Sequence, residues 1–139
     1  MRHRNSISGR GNNQMRQTDP AERDFESAIV DIARAFGWVA VGHRPMRTKH
    51  GWATGWKYDG VGFPDLLLVH TSGHILFAEL KVGSNKLSAE QSVWNDVLRT
   101  TCAAINTNAQ SVTQHVWRPS DMNEIVERLS FGRGSTGQQ

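Results

Sequence analysis

Apolar residues recur at helical spacing through Phe25, Ile29, Ile32 and Phe36, with Ala28 and Ala33 beside them, and predict a first helix over residues 20–36. Asp19 stands at its N-cap, Pro20 at its first position and Glu22 at its third, while Gly37 supplies the stop. Trp38-Val39-Ala40-Val41 then predicts a strand, with room to continue to His43. Further on the pattern changes to two short apolar runs, Leu66-Leu67-Leu68-Val69 and Ile75-Leu76-Phe77-Ala78-Glu79-Leu80-Lys81. Joined around Thr71-Ser72-Gly73, they predict a hairpin. After a loop over residues 83–87, Ser88-Ala89-Glu90-Gln91 has the capping-box pattern and opens a helix to about residue 100. Val93, Trp94, Val97 and Leu98 form its predicted apolar face. Ala103-Ala104-Ile105 is compatible with a short strand, and residues 106–110 with a turn. Alternation over residues 112–117 predicts a further strand. Pro119-Ser120-Asp121 opens a last helix that buries Met122, Ile125, Val126 and Leu129. The order α-β-β-β-α-β-α predicts one small α/β domain over residues 20–131, with a mixed central sheet flanked by helices.

Residues 44–63 interrupt the pattern. They show no periodicity, carry Gly51, Gly55, Gly60 and Gly62, and interleave Trp52, Trp56 and Tyr58 with Arg44, Arg47, Lys49 and Lys57. A long loop in a compact domain is uncommon and often functional. Aromatics among cations suit stacking on bases and neutralisation of phosphates. The charge distribution agrees with this. Residues 1–18 hold Arg2, Arg4, Arg10 and Arg16 and no acid, whereas residues 20–130 hold 11 Lys/Arg against 12 Asp/Glu, within a chain of net charge +3. Residues 1–19 and 132–139 are polar and are expected to be disordered tails, the first of them basic.

Composition excludes several classes. No apolar run approaches the roughly 20 residues that cross a bilayer, and the polar N-terminus does not read as a signal peptide. The single cysteine, Cys102, excludes an intramolecular disulfide and a multi-thiolate metal site, and suits a reducing compartment. His43, His50, His70, His74 and His115 are scattered without metal-ligand spacing, so a histidine-based metal site is not expected. The glycines between Gly51 and Gly62 lack the G-K-[ST] ending of a phosphate-binding loop, so no nucleotide cofactor is expected.

The hairpin carries the chemistry. Residues two apart on a strand point the same way, about 6.6 Å apart, so Glu79 and Lys81 share a face and Leu80 points into the other. The start of the first strand lies beside the end of the second, which brings Asp65 to Glu79 and Lys81. Hard oxygen ligands beside an ammonium suit a divalent cation that activates water against a phosphodiester.

Pro64-Asp65 followed by Glu79-Leu80-Lys81 resembles the PD-(D/E)XK nuclease superfamily, and within it the VRR-NUC group and the archaeal-type Holliday junction resolvases. Gly62-Phe63-Pro64-Asp65-Leu66 is similar to the group's G-x-P-D-L signature, Phe77-Ala78-Glu79-Leu80-Lys81 to its catalytic strand, Leu87-Ser88-Ala89-Glu90-Gln91 to its following helix, and Trp117-Arg118-Pro119 to the end of its last strand. The likeness spans residues 22–129. It implies a restriction-endonuclease-like core and a Mg²⁺-dependent endodeoxyribonuclease, with Mn²⁺ able to substitute. Asp65, Glu79 and the Leu80 carbonyl would hold the metal, and Lys81 would orient the attacking water or stabilise charge on the phosphate. A first-helix glutamate, Glu26 with Glu22 as the alternative, would join them. Gln91 would either reach the site or only cap its helix. Arg44, Arg47, Lys49, Trp52, Trp56 and Lys57, together with Lys86, are the expected DNA contacts. The resemblance further implies a homodimer acting on branched DNA, a four-way junction foremost, in the cytoplasm of a bacterium or a phage-infected host. The alternatives are a flap-type, nicking or restriction-like endonuclease, or a non-catalytic DNA-binding protein on the same scaffold.

Overall fold

The computed structural model describes residues 19–105 and 111–131. Of the expected tails over residues 1–19 and 132–139, all but Asp19 lies outside them, as does the expected turn over residues 106–110. The first helix, α1, spans Pro20–Ala35, and the Asp19 side chain accepts from Ala21 N–H at 2.9 Å as its N-cap. Six strands follow: β1 (Val39–Gly42), β2 (Met46–Thr48), β3 (Gly51–Ala53), β4 (Leu66–His70), β5 (His74–Leu80) and β6 (Val112–Trp117). Helix α2 spans Ala89–Ile105, and α3 spans Met122–Leu129 after a short 3₁₀ turn at Pro119–Asp121. Among the described residues no helix is long and apolar enough to cross a membrane.

The protein is α/β with a mixed four-stranded sheet in the order β1-β4-β5-β6. The β1/β4 and β4/β5 pairs are antiparallel and β5/β6 is parallel. A parallel pair needs a long crossover, which α2 supplies. Alternation along β4 and β5 turns Leu66, Leu68, Leu76, Ala78 and Leu80 to one face, where they form one core with Phe25, Ile29 and Ala33 of α1 and Ile125 and Leu129 of α3. Each such leucine or isoleucine contributes about 1.5–3 kcal/mol by burial. The opposite face carries Phe77, which meets Phe63 at 6.1 Å, and Phe63 meets Trp94 of α2 at 5.1 Å. Trp94 Nε1 donates to the Asp59 carbonyl at 2.8 Å, tying α2 to the segment before Pro64.

Three sequence expectations need correction. The segment over residues 44–63 is not a plain loop, because β2 and β3 pair as a small antiparallel hairpin with Thr48 opposite Gly51. Met46, Arg47 and Thr48 are all exposed, so no burial alternation marked the strand. Ala103-Ala104-Ile105 is helical, not a strand, since α2 continues past residue 100 to bury Cys102 one turn beyond Leu98. The predicted apolar face of α2 holds at Leu98, which is buried, and at Trp94, which packs on Phe63, but not at Val93 and Val97. Val93 and Val97 are 63% and 52% exposed, and the face turned to the sheet is Gln91, Asn95, Leu98 and Cys102. Half of that stripe is polar because it bonds to groups on the sheet: Gln91 to Glu79 and Asn95 to Gln114.

Candidate active site

The end of the hairpin gathers the charges. Glu79 is 5% exposed and is the one charged residue buried among those described. A buried charge needs partners, and three surround it. Gln91 Nε2 donates to Glu79 Oε1 at 2.8 Å, Lys81 Nζ lies 3.7 Å from the same oxygen, and the Asp65 carboxyl hydrogen-bonds to it. Asp65 in turn accepts from Leu80 N–H at 2.8 Å and lies 3.5 Å from His43 Nε2. In a strand the N–H and C=O of one residue leave the same edge. The Leu80 carbonyl therefore emerges on the edge that bears Asp65.

Gln91 caps its helix and also reaches Glu79. Its backbone N–H donates to Ser88 Oγ at 3.1 Å and its Oε1 accepts from Ser88 N–H at 2.9 Å, which is a complete capping box. Its Nε2 remains free for Glu79. The cap thereby locks the amide in the orientation that serves the carboxyl. Gly62 makes this closeness possible. With φ +87°, it lies so near the start of α2 that a Cβ there would sit 2.5 Å from the Glu90 carbonyl carbon and 2.7 Å from Gln91 N.

The electrostatics fit a place for positive charge. Burial, the nearby Asp65 and the hydrogen bond to it push Glu79 up to about 9, outweighing the opposite pull of Lys81. Burial would also raise Asp65, but hydrogen bonds from His43, Leu80 N–H and Glu79 prevail and hold it below its usual value. The two carboxyls thus favour keeping a proton between them. On α1, burial and then Asp65 raise both Glu22 and Glu26. Glu26 faces Asp65, His43 and Glu22, with its Oε1 3.2 Å from where a side chain at Gly42 would begin. Glu22 feels Asp65 and Lys81, and Glu79 feels Glu22 in return. The glutamate one turn earlier is therefore the one whose field reaches the whole cluster. Among the described residues no three His, Cys, Asp or Glu side chains converge as a ready metal cage.

The expected DNA contacts are spread out. Arg44 and Trp52 line a groove against α1, whereas Arg47, Lys49, Lys57 and Lys86 project from the surface. Trp56 is partly used inside the protein, edge-on to His43 at 5.0 Å and tilted on Phe63 at 5.8 Å. Two residues have contacts that the sequence pattern does not reveal. His43 belongs to a group of histidines scattered in sequence, yet pairing of Gly42 with Leu66 brings it to Asp65. Arg118 bonds the carbonyls of Gly83 and Asn85 at 3.1 and 2.7 Å, holding the loop that bears Lys86. Only the β1/β4 register could have revealed His43, and that pairing spans the aperiodic segment. Neither a family model nor a curated protein matches the chain.

Proposed function

We propose that this protein is a Mg²⁺-dependent DNA endonuclease of the PD-(D/E)XK type, with a restriction-endonuclease-like core. The observation that carries the reading is the single bonded network of Asp65, Glu79, Lys81 and Gln91 at the end of the hairpin. The donor set fits a hard divalent cation. Two paired carboxyls and a strand-edge carbonyl supply oxygen, and further carboxyls crowd nearby without enough positive charge to balance them. Asp65, Glu79 and the Leu80 carbonyl would hold Mg²⁺ or Mn²⁺, with Glu22 or Glu26 behind them. When bound, the ion supplies Lewis-acid polarisation of the phosphate and a more acidic water.

The chain's own groups do the rest. Lys81 directs an ammonium into the site from beside Glu79, where it can orient the attacking water or take up charge on the phosphate. Gln91 holds the Glu79 carboxyl in one orientation. His43 and Leu80 N–H hold Asp65 ionised and in place. The substrate is branched DNA, a four-way junction foremost, cut by a homodimer in the cytoplasm of a bacterium or phage-infected cell. Exposed Arg47, Lys49, Lys57 and Lys86 carry phosphate contacts.

The test is a cleavage panel of four-way junction, flap, splayed arm, linear duplex and single strand, with Mg²⁺ and with EDTA. Wild-type protein cuts only with the metal, and Glu79→Ala does not cut. Full activity of Glu79→Ala overturns the assignment. Paired symmetric nicks in the junction support resolution. Preferred cutting of the flap or equal cutting of linear duplex moves the reading to a flap-type, nicking or restriction-like enzyme.

A further inference from the structure

A concavity adjoins the hairpin cluster. It lies between the outer face of α1 and the β2–β3 hairpin, encloses about 430 Å³, and shares Glu26 and His43 as a wall with the site. Arg23 and Arg34 of α1 and Arg44 of the approach to β2 line it, and Trp52 of β3 lies half-buried in it. No ion pair among the described residues engages any of the three guanidiniums. Asp31 and Glu26 add acceptors to the same lining.

We propose that this groove is a subsite for one unpaired nucleotide next to the scissile phosphate, an inference that rests on the nuclease reading above. The mixed lining selects the ligand. A bare run of phosphates would meet Asp31 and Glu26 as well as the arginines, and gains little from Trp52. A duplex keeps its bases stacked and presents neither a free ring face nor a free pairing edge. An extruded nucleotide offers all three complements: a ring for Trp52, a phosphate for a guanidinium, and base amino groups for a carboxylate acceptor. The volume is in the range of small-ligand sites and exceeds what a phosphate alone would fill. Placement matters as much as composition. Because Glu26 and His43 line the groove and also face Asp65, a nucleotide here is contiguous with a phosphate at Asp65 and Glu79. This makes the site selective for DNA with an unpaired residue at the cut, as at a branch point.

The test couples a deletion in the DNA with one in the protein. Splayed-arm substrates carry either a normal base or an abasic residue at each unpaired position beside the cut, and steady-state cleavage with Mg²⁺ is measured for wild type, Trp52→Ala and Trp52→Phe. Removing the base at one position raises the wild-type KM about 10-fold, as for a stacked base, with kcat little changed. Trp52→Ala shows the same rise on the intact substrate and less than a 2-fold further rise on the abasic one, while Trp52→Phe retains most of the affinity. Arg34→Ala and Arg44→Ala each flatten the salt dependence of binding by about 0.7 in slope if they meet a single-strand phosphate. Independent effects of Trp52→Ala and base removal, or an equal KM rise on continuous duplex, overturn the subsite while leaving the nuclease assignment intact. Binding of the same oligonucleotides in EDTA, followed by fluorescence anisotropy, reads the coupling without cleavage. Coupling in that assay from a protein that cuts no DNA would overturn the nuclease reading and keep the nucleotide site.

Discussion

Gly62→Ala isolates the contact that joins the Pro64-Asp65 segment to the start of α2. The glycine sits at φ +87°, and an added Cβ would lie 2.5 Å from the Glu90 carbonyl carbon and 2.7 Å from Gln91 N. Both neighbours are backbone, so relief requires moving the first turn of α2. Holding alanine at a positive φ costs about 1–3 kcal/mol. Displacing the Ser88–Gln91 capping box adds about 0.5–2 kcal/mol. The sum is about 3 kcal/mol. At a urea m-value of about 1.5 kcal/mol/M for a domain of this size, the midpoint falls by about 2 M. Two other glycines are internal controls. Gly51 has φ +112° with open space around it, so Gly51→Ala registers backbone strain alone, about 1 kcal/mol. Gly55 has neither a positive φ nor a close neighbour, and Gly55→Ala stays within about 0.5 kcal/mol of wild type. Urea unfolding of the three variants by fluorescence and circular dichroism gives the ranking. If Gly62→Ala is no more destabilising than Gly51→Ala, the close approach to α2 is wrong, and with it the account of how Gln91 is positioned.

Other outcomes follow from the same geometry. Glu79, raised to about 9 by burial and Asp65, holds in the folded state a proton that the unfolded chain releases from about 4.5 upward. Stability of the metal-free protein therefore falls as pH rises through that window. Glu79→Gln removes the dependence, gains several degrees in Tm over wild type at pH 8 and nothing at pH 4, and loses any Tm increase produced by Mg²⁺; parallel pH profiles would refute the buried proton. His115, pushed down to about 4 by burial and then by Arg128, stays neutral in the fold while the unfolded chain takes up a proton below 6.5. Its share of stability is complete above pH 6.5 and is lost as pH falls toward 4, by at most about 3 kcal/mol at about 1.4 kcal/mol per unit. In calorimetry His115→Gln lacks that component, and an unchanged acid limb would contradict it. On α2, Val93→Lys and Val97→Lys each stay within about 0.5 kcal/mol of wild type, whereas Leu98→Ala loses about 2–3 kcal/mol; losses at Val93 and Val97 as large as at Leu98 in urea unfolding would restore the full apolar face read from the sequence.

Much of the fold was legible because its signals are local. The spacing of Phe25, Ile29 and Ala33, the Asp19-Pro20 start and the Gly37 stop define α1 without reference to any other element. The Leu66–His70 and His74–Leu80 runs needed only a short turn to pair, and pairing alone brings Asp65 to Glu79 and Lys81. Where burial did not alternate, the reading failed. The three exposed residues of β2 give no periodic signal, and the stripe of α2 that faces the sheet is half polar because it bonds to Glu79 and Gln114.

The chain by itself therefore determined the two carboxylates and the lysine of the cluster, the strand order within the hairpin, and the capping box ahead of α2, all set by contacts between residues close in sequence. Tertiary structure alone decided the rest. Pairing of β1 with β4 delivered His43 to Asp65 across the aperiodic segment. The approach of α1 to the sheet made Glu22 the glutamate whose field reaches Asp65, Lys81 and Glu79. Packing of α2 over Gly62 let one glutamine cap a helix and hold the Glu79 carboxyl at once. Those contacts join residues far apart in the chain, and their free energies depend on shape and distance that no pattern of residue types encodes.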